Sequence, residues 1–331
     1  MSEGHKYYKL EHRINTIKQV AEIGDSDVIR CGIVSLNEIV GIKKGYPIFL
    51  GGAPHAGKTE FGKQMMINLA QKFNWKWFCY LGEEGTIEAA YLDLMHKYLG
   101  KPYQWATEAE KIRAEYFINE HFIIANDDLD YMVTGFYDAV AECEREFGIT
   151  FDGTFFDPFN DLEEELVRFN GREDKFLAYA LKQVRVSSKK NKRVDMVVNH
   201  IADIKAIQDK DSGQFYMRAA LPNEWSGGRT WWRRAFLMLL VYRPPTFLKD
   251  ENGRPYEENE TLIYCQKAKP KGIAKLGRRS IFWDWKKNQF YSYDGGQVYG
   301  MNEGIEYKPN TIQPTKDWTE SNKNEDIDVP F

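Results

Sequence analysis

Residues Phe49 to Lys63 read FLGGAPHAGKTEFGK, and Gly52, Gly57, Lys58 and Thr59 within them fit the phosphate-loop spacing G-x-x-x-x-G-K-[ST]. The flanks fit the same reading. Tyr46 to Leu50 (YPIFL) predicts a short buried strand before the glycines, and Glu60 to Phe73 carries apolar residues at helical spacing after them. A loop between strand and helix turns free N–H groups and the positive end of the helix dipole toward phosphate oxygens. Gly51, Gly52 and Gly57 permit close backbone approach, Lys58 adds a mobile cation, and the Thr59 hydroxyl is placed to hold Mg²⁺. The residues expected to cradle a nucleoside triphosphate such as ATP are therefore Gly52, Ala53, Pro54, His55, Ala56, Gly57, Lys58, Thr59 and Glu60. The alternative is a glycine-rich turn that matches by accident, and a strand and a helix in the required places count against it.

Composition sets the outer limits. In 331 residues, 43% apolar and 15% aromatic side chains supply material for one large or two modest cores. No apolar run approaches the roughly 18 residues of a membrane span, and the start, MSEGHKYYKLEHR, lacks the apolar centre of a secretory signal. A soluble, cytoplasmic protein without a membrane partner is the expectation. Cys31, Cys79, Cys143 and Cys265 are scattered with no C-x-x-C pair, which suggests neither a zinc site nor a disulfide framework. A net charge of −4 argues against a chain that coats nucleic acid over its whole surface. Basic residues do cluster, six of them between Lys182 and Arg193 and eight between Lys267 and Lys287, and such runs are either solvated surface or an anion-binding face.

Along the chain, residues 1–30 read as a polar, partly helical lead-in, with Tyr8, Leu10, Ile14, Ile17 and Val20 at helical spacing before GDSD. Such an amphipathic helix needs a surface to dock on, and a neighbouring subunit is the expected one. Trp75 to Leu81 predicts a second buried strand, and it runs into Gly82-Glu83-Glu84. A carboxylate there is placed to polarise water, or else simply opens a helix whose N-terminus favours acids. Helical patterns over 86–99 and 105–117, a strand over 121–125 and a helix over 129–147 follow. Thr154 to Phe156 then predicts a strand that ends in Asp157, either a turn residue or the acid that holds the water shell of Mg²⁺. A basic helix over 176–187 precedes a strand over 194–198 that leads to Asn199-His200. Ala202 to Gly228 is polar, glycine-bearing and aperiodic, too long for a neutral connector. Lys205, Lys210 and Arg218 lie in it, with Arg229 just beyond. The remainder predicts a helical turn at Trp231 to Arg234 and strands over 236–242, 261–265, 280–285 and 289–293. Strands alternating with helices to residue 200, then a β-rich end, indicate an α/β fold: a mostly parallel central sheet flanked by helices, with antiparallel C-terminal strands.

Five stations, taken in order, resemble the RecA-like P-loop NTPase core of hexameric replicative DNA helicases, the DnaB and Twinkle group with its phage primase-helicase relatives. They are the P-loop, YLGEE, FFDPFND, VVNHI, and SGGRTWWRRAFLMLLVYR followed by YCQKAKPKG, and together they span Ile33 to Tyr293. The resemblance implies that Glu83 activates water, with Glu84 as the other choice, that Asp157 supports Mg²⁺, and that His200 couples the γ-phosphate to DNA loops. It implies a basic pair, Lys267 and Lys269, that reaches the nucleotide of the adjacent subunit. Many relatives carry Arg at the second position, so Arg243, Arg278 and Arg279 stand as substitutes. It further implies a ring, hexameric in the family, with DNA in a central channel lined by Lys205, Lys210, Arg218 and Arg229.

The domain organisation expected is a docking helix over 1–30, a RecA-like domain over 31–300 and a disordered acidic tail over 301–331. With only about 30 residues ahead of the core, priming is expected from another chain. The tail ends in EDIDVPF, resembling the acidic tip of bacterial single-stranded-DNA-binding proteins. Phe331, Asp326 and Asp328 are the residues expected to bind a replication partner such as a polymerase or primase. An acidic terminus that serves only solubility is the other reading. For the whole chain, the alternative to an NTP-driven helicase is a RecA-like DNA-binding ATPase that forms filaments and does not unwind.

Overall fold

Ile48, Phe49 and Leu50 are apolar on both sides of the strand, so the segment must be covered on both faces, as in a parallel sheet under two helical layers. The computed structural model, which describes residues 9–23, 27–126, 132–159, 167–202, 204–269, 272–294 and 296–300, has that architecture. In chain order the strands are β1 (Ile29–Arg30), β2 (Gly41–Ile42), β3 (Ile48–Gly52), β4 (Trp77–Leu81), β5 (Phe122–Ile124), β6 (Gly153–Asp157) and β7 (Val194–His200). They continue as β8 (Ile207–Gln208), β9 (Phe215–Tyr216), β10 (Leu237–Tyr242), β11 (Glu260–Ala268), β12 (Gly277–Asp284), β13 (Gln289–Asp294) and β14 (Gln297–Tyr299). The helices are α1 (Ile14–Ile23), α2 (Lys58–Phe73), α3 (Ile87–Leu99), α4 (Glu108–His121), α5 (Val133–Phe147), α6 (Glu173–Asn191) and α7 (Arg229–Arg234).

The main sheet is ten-stranded, in the order β14-β13-β12-β11-β10-β3-β7-β6-β4-β5. From β10 to β5 neighbours run parallel, and from β10 to β14 they run antiparallel. Side chains alternate across it. Ile48 and Leu50 join the layer of Phe61, Met65 and Leu69 from α2 and Leu94 from α3, whereas Phe49 joins Phe136 of α5, Leu181 of α6 and Trp231 of α7. The chain leaves β3, passes over β7 and β6, and re-enters the sheet at β4. That reversal leaves a crevice at the carboxyl ends of β3 and β7, the usual place for a ligand in an open α/β sheet.

The aperiodic stretch 202–228 contains a small ribbon, β8 paired with β9, in which Ile207 faces Tyr216 and Gln208 faces Phe215. Two-residue strands are too short to show alternation in sequence, so the ribbon is set by its turn. The Asp209 carboxylate accepts from the Ser212 N–H and hydroxyl, and the Gly213 N–H donates to the Asp209 carbonyl. On α1, Ile14, Ile17 and Val20 stay exposed. Residues 301–331, including Asp326, Asp328 and Phe331, lie outside the described residues.

Candidate nucleotide site

The loop from Ala53 to Gly57 joins the end of β3 to the start of α2. Gly57, immediately before the helix, has φ +90°, a conformation that side chains with a Cβ resist. Lys58 is buried and its Nζ donates to the Ala53 carbonyl at 3.0 Å, which holds the ammonium inside the curve of the loop. Burial pushes that ammonium below the usual lysine range, against the pull of the Asp157 and Glu83 carboxylates.

Asp157 ends β6 and is 1% exposed. The Thr59 hydroxyl donates to its Oδ2 at 2.5 Å, while its Oδ1 is buried with no hydrogen-bond partner among the described residues. Burial raises this carboxyl to about 7. An orphaned carboxylate oxygen beside a threonine hydroxyl is a fitting donor set for Mg²⁺, which takes few protein ligands and completes its shell with water and phosphate oxygens. Among the described residues no cluster of three or more His, Cys, Asp or Glu forms an all-protein metal cage.

His200 ends β7 opposite Gly52 of β3. Its Nδ1 lies 3.4 Å from Lys58 Nζ and its Nε2 3.2 Å from Glu83 Oε1. The two neighbouring glutamates differ in what they touch. The Glu83 side chain is half exposed to the cleft, whereas that of Glu84 is bound by the fully buried Lys63 ammonium. Lys58, Thr59, Glu83, Asp157 and His200 are thus brought together at one end of the sheet, along a cleft of about 680 Å³ that also takes in Pro54, His55, Ala56 and Glu60.

Other residues singled out in the sequence lie elsewhere. Leu237 of β10 pairs with both Ile48 and Ala268, so Lys267 and Lys269 stand where β3 begins, a strand's length from the P-loop. Lys267 Nζ donates to the Trp232 carbonyl and Lys269 Nζ to the Arg233 carbonyl at 3.1 Å, so both cover the C-terminal end of α7. Lys205, Lys210 and Arg229 are exposed, with Lys210 in the ribbon turn. Arg218 is held by Glu224 through two bonds of 2.8 and 2.6 Å. Of the substitute cations, Arg243 lines the cleft of its own chain, and Arg279 donates to Glu38 at 3.0 Å.

Sequence reasoning missed Thr261, Trp283 and Phe290, which complete the cleft wall from the antiparallel strands. No local motif marks them, because the wall exists only once β11, β12 and β13 are laid beside β10.

No protein-family model matches the chain, and no curated protein matches it in sequence. Solved structures do match in shape. A helicase ATPase domain aligns with a TM-score of 0.67 at 13% identity, over 87% of this chain and 100% of that one. A DnaB-like replicative helicase, described together with its interactions with primase, aligns with a TM-score of 0.63 at 13% identity, over 88% of this chain and 68% of that one. The chain therefore has the RecA-like fold of these helicase ATPase domains, a mostly parallel sheet between helices with antiparallel C-terminal strands.

Proposed function

We propose that this protein is an ATP-driven translocase on single-stranded DNA, a replicative helicase that works as a ring with its nucleotide sites between subunits. The observation that carries the reading is the convergence of Lys58, Thr59, Glu83, Asp157 and His200 on one cleft at the carboxyl end of β3. Phosphates fit the N-terminal turn of α2 and the Lys58 ammonium. Thr59 and Asp157 hold Mg²⁺, whose chemistry is to neutralise charge on the phosphate oxygens. Glu83 takes the part of the base that orients and polarises water, its carboxylate kept in place by His200. The indole of Trp283, the Phe290 ring and the Arg243 guanidinium offer flat surfaces for a base.

Coupling to DNA follows the chain out of the site. His200 continues into Ile201, which bridges to Trp225, and the Ala202 N–H donates to the Glu224 carbonyl, so the strand end is tied to both limbs of the 202–228 segment. Lys205, Lys210 and Arg229 are the cations proposed to meet DNA phosphates. Arg218 has the part of a brace, because its fork is filled by Glu224. Lys267 and Lys269, remote from the cleft of their own chain, suit a site on the next subunit. The likeness to a DnaB-like helicase described with primase makes replication the proposed setting, as analogy of fold.

Purified protein should hydrolyse ATP with Mg²⁺, faster when single-stranded DNA is added, and Lys58→Ala should abolish the activity. Hydrolysis indifferent to DNA overturns the translocase. Closed rings that unwind a forked duplex select the helicase over a filament-forming ATPase.

A further inference from the structure

Beneath the cleft lies a charged cluster that nucleotide chemistry does not call for. Lys63, on α2 one turn beyond Thr59, is fully buried, and its ammonium meets three carboxylates. It donates to Glu84 Oε1, lies 2.7 Å from Asp93 Oδ2 on α3, and lies 3.7 Å from Glu60 Oε1. Lys97 extends the cluster with bonds to Glu60 at 2.7 Å and to the Asn288 carbonyl at 2.8 Å, and Asn288 Nδ2 closes it on Asp93 Oδ1 at 2.7 Å. A lysine this deep is sustained only by such partners, and the carboxylates hold it protonated well above the usual range.

Glu83 and Glu84 sit in a turn flanked by Gly82 and Gly85, the latter at φ +81°. Glycines on both sides give this segment little backbone stiffness of its own. We infer that Lys63 is a positioning residue: by clamping Glu84 to the P-loop helix, it fixes the turn that presents Glu83 to the cleft. The part of this role concerning turnover rests on the hydrolase reading above, while the anchoring of the turn does not. Replacing the ammonium leaves Glu84 without its buried partner, so the turn is free to swing while Lys58 and Thr59 stay in place.

The test combines amide hydrogen exchange with steady-state hydrolysis on the full chain. Lys63→Met should speed exchange over residues 83–86 about tenfold or more, because local opening loses its main restraint. It should lower kcat about tenfold while KM for ATP changes less than about twofold, the pattern of an interaction that matters only in the transition state. Lys63→Arg should restore most of both, since a guanidinium reaches the same carboxylates. Glu84→Gln, which leaves Lys63 paired with Asp93 and Glu60, should shift both readouts in the same direction by less, and it decides the matter if Lys63→Met does not fold. Unchanged exchange over 83–86 in a folded variant overturns the anchoring. Faster exchange with kcat intact, or a loss borne mainly by KM, overturns the positioning role. If the unaltered protein hydrolyses no nucleotide, the hydrolase reading fails, and the exchange measurement still decides whether Lys63 anchors the turn.

Discussion

The Nε2 of His200 lies 3.2 Å from the Oε1 of Glu83, a contact between residues 117 positions apart that joins the end of β7 to the turn after β4. The Lys58 ammonium has only donors to offer the other ring nitrogen, Nδ1, at 3.4 Å. That nitrogen must accept, which assigns the ring proton to Nε2, where it donates to Glu83. Glu83→Gln should leave nucleotide binding intact and slow turnover by about 10² or more, since the base is lost but the shape is kept. His200→Gln should retain more of the DNA stimulation than His200→Ala, because an amide can still bridge a donor and an acceptor. Titration with a fluorescent nucleotide and hydrolysis assays with and without DNA measure both. Equal activity of the two His200 variants would remove the bridge from the mechanism.

Lys269→Ala should impair hydrolysis through the neighbouring subunit's site. β3, whose first residue is level with Leu237 and Ala268, is five residues long, about 17 Å, so Lys269 is out of reach of its own P-loop. Mixing Lys269→Ala with Lys58→Ala protein creates some sites with an intact P-loop and an intact lysine from different chains. Hydrolysis should reappear at intermediate ratios. No recovery at any ratio would argue for sites contained within one chain.

Lys267 predicts a stability profile in pH. Burial pushes its ammonium from the usual lysine range down to about 8, with Lys269 adding like-charge repulsion. Between about 8 and 10.5 the unfolded chain therefore binds more protons at this position than the folded one. The folded state bears the full cost of the charge below about 8, and its stability from this group rises with pH across that interval. Chemical denaturation at pH 7.5 and 9.5 should show the gain in the unaltered protein and lose it in Lys267→Met.

Gly51→Ala should destabilise the protein by about 1–3 kcal/mol, the range for overpacking a filled core. A Cβ at that position would stand 2.5 Å from Cζ2 of Trp225, a fully buried ring whose Nε1 donates to Gln266 at 3.0 Å and so has little room to move. Adding Trp225→Leu should recover part of the loss in a denaturation series, because the two positions share one space. Simple additivity would mean that the glycine matters for another reason.

The P-loop, the strands at Ile48, Trp77, Gly153 and Val194, and the amphipathic α2 and α6 were legible in the sequence because each depends on local spacing: period two or a fully apolar run for strands, 3.6 for helices. Asp157 and His200 could be singled out for the same reason, since each closes a strand that can be read without its neighbours. What the sequence left open depended on distant partners. Glu83 and Glu84 are equivalent in the string, and they diverge only because Lys63 on α2 takes one of them while His200 on β7 meets the other. Arg218 was one more cation in a basic loop until the loop closed and brought Glu224 to it. Trp283 and Phe290 joined the cleft because β12 and β13 pair on beyond β11, a matter of sheet order that no window of sequence records. The sequence by itself determined which elements form and which end of each carries chemistry, because backbone periodicity and loop glycines act within a few residues. The tertiary structure alone decided which charges pair and which remain available, because that choice depends on contacts across the fold.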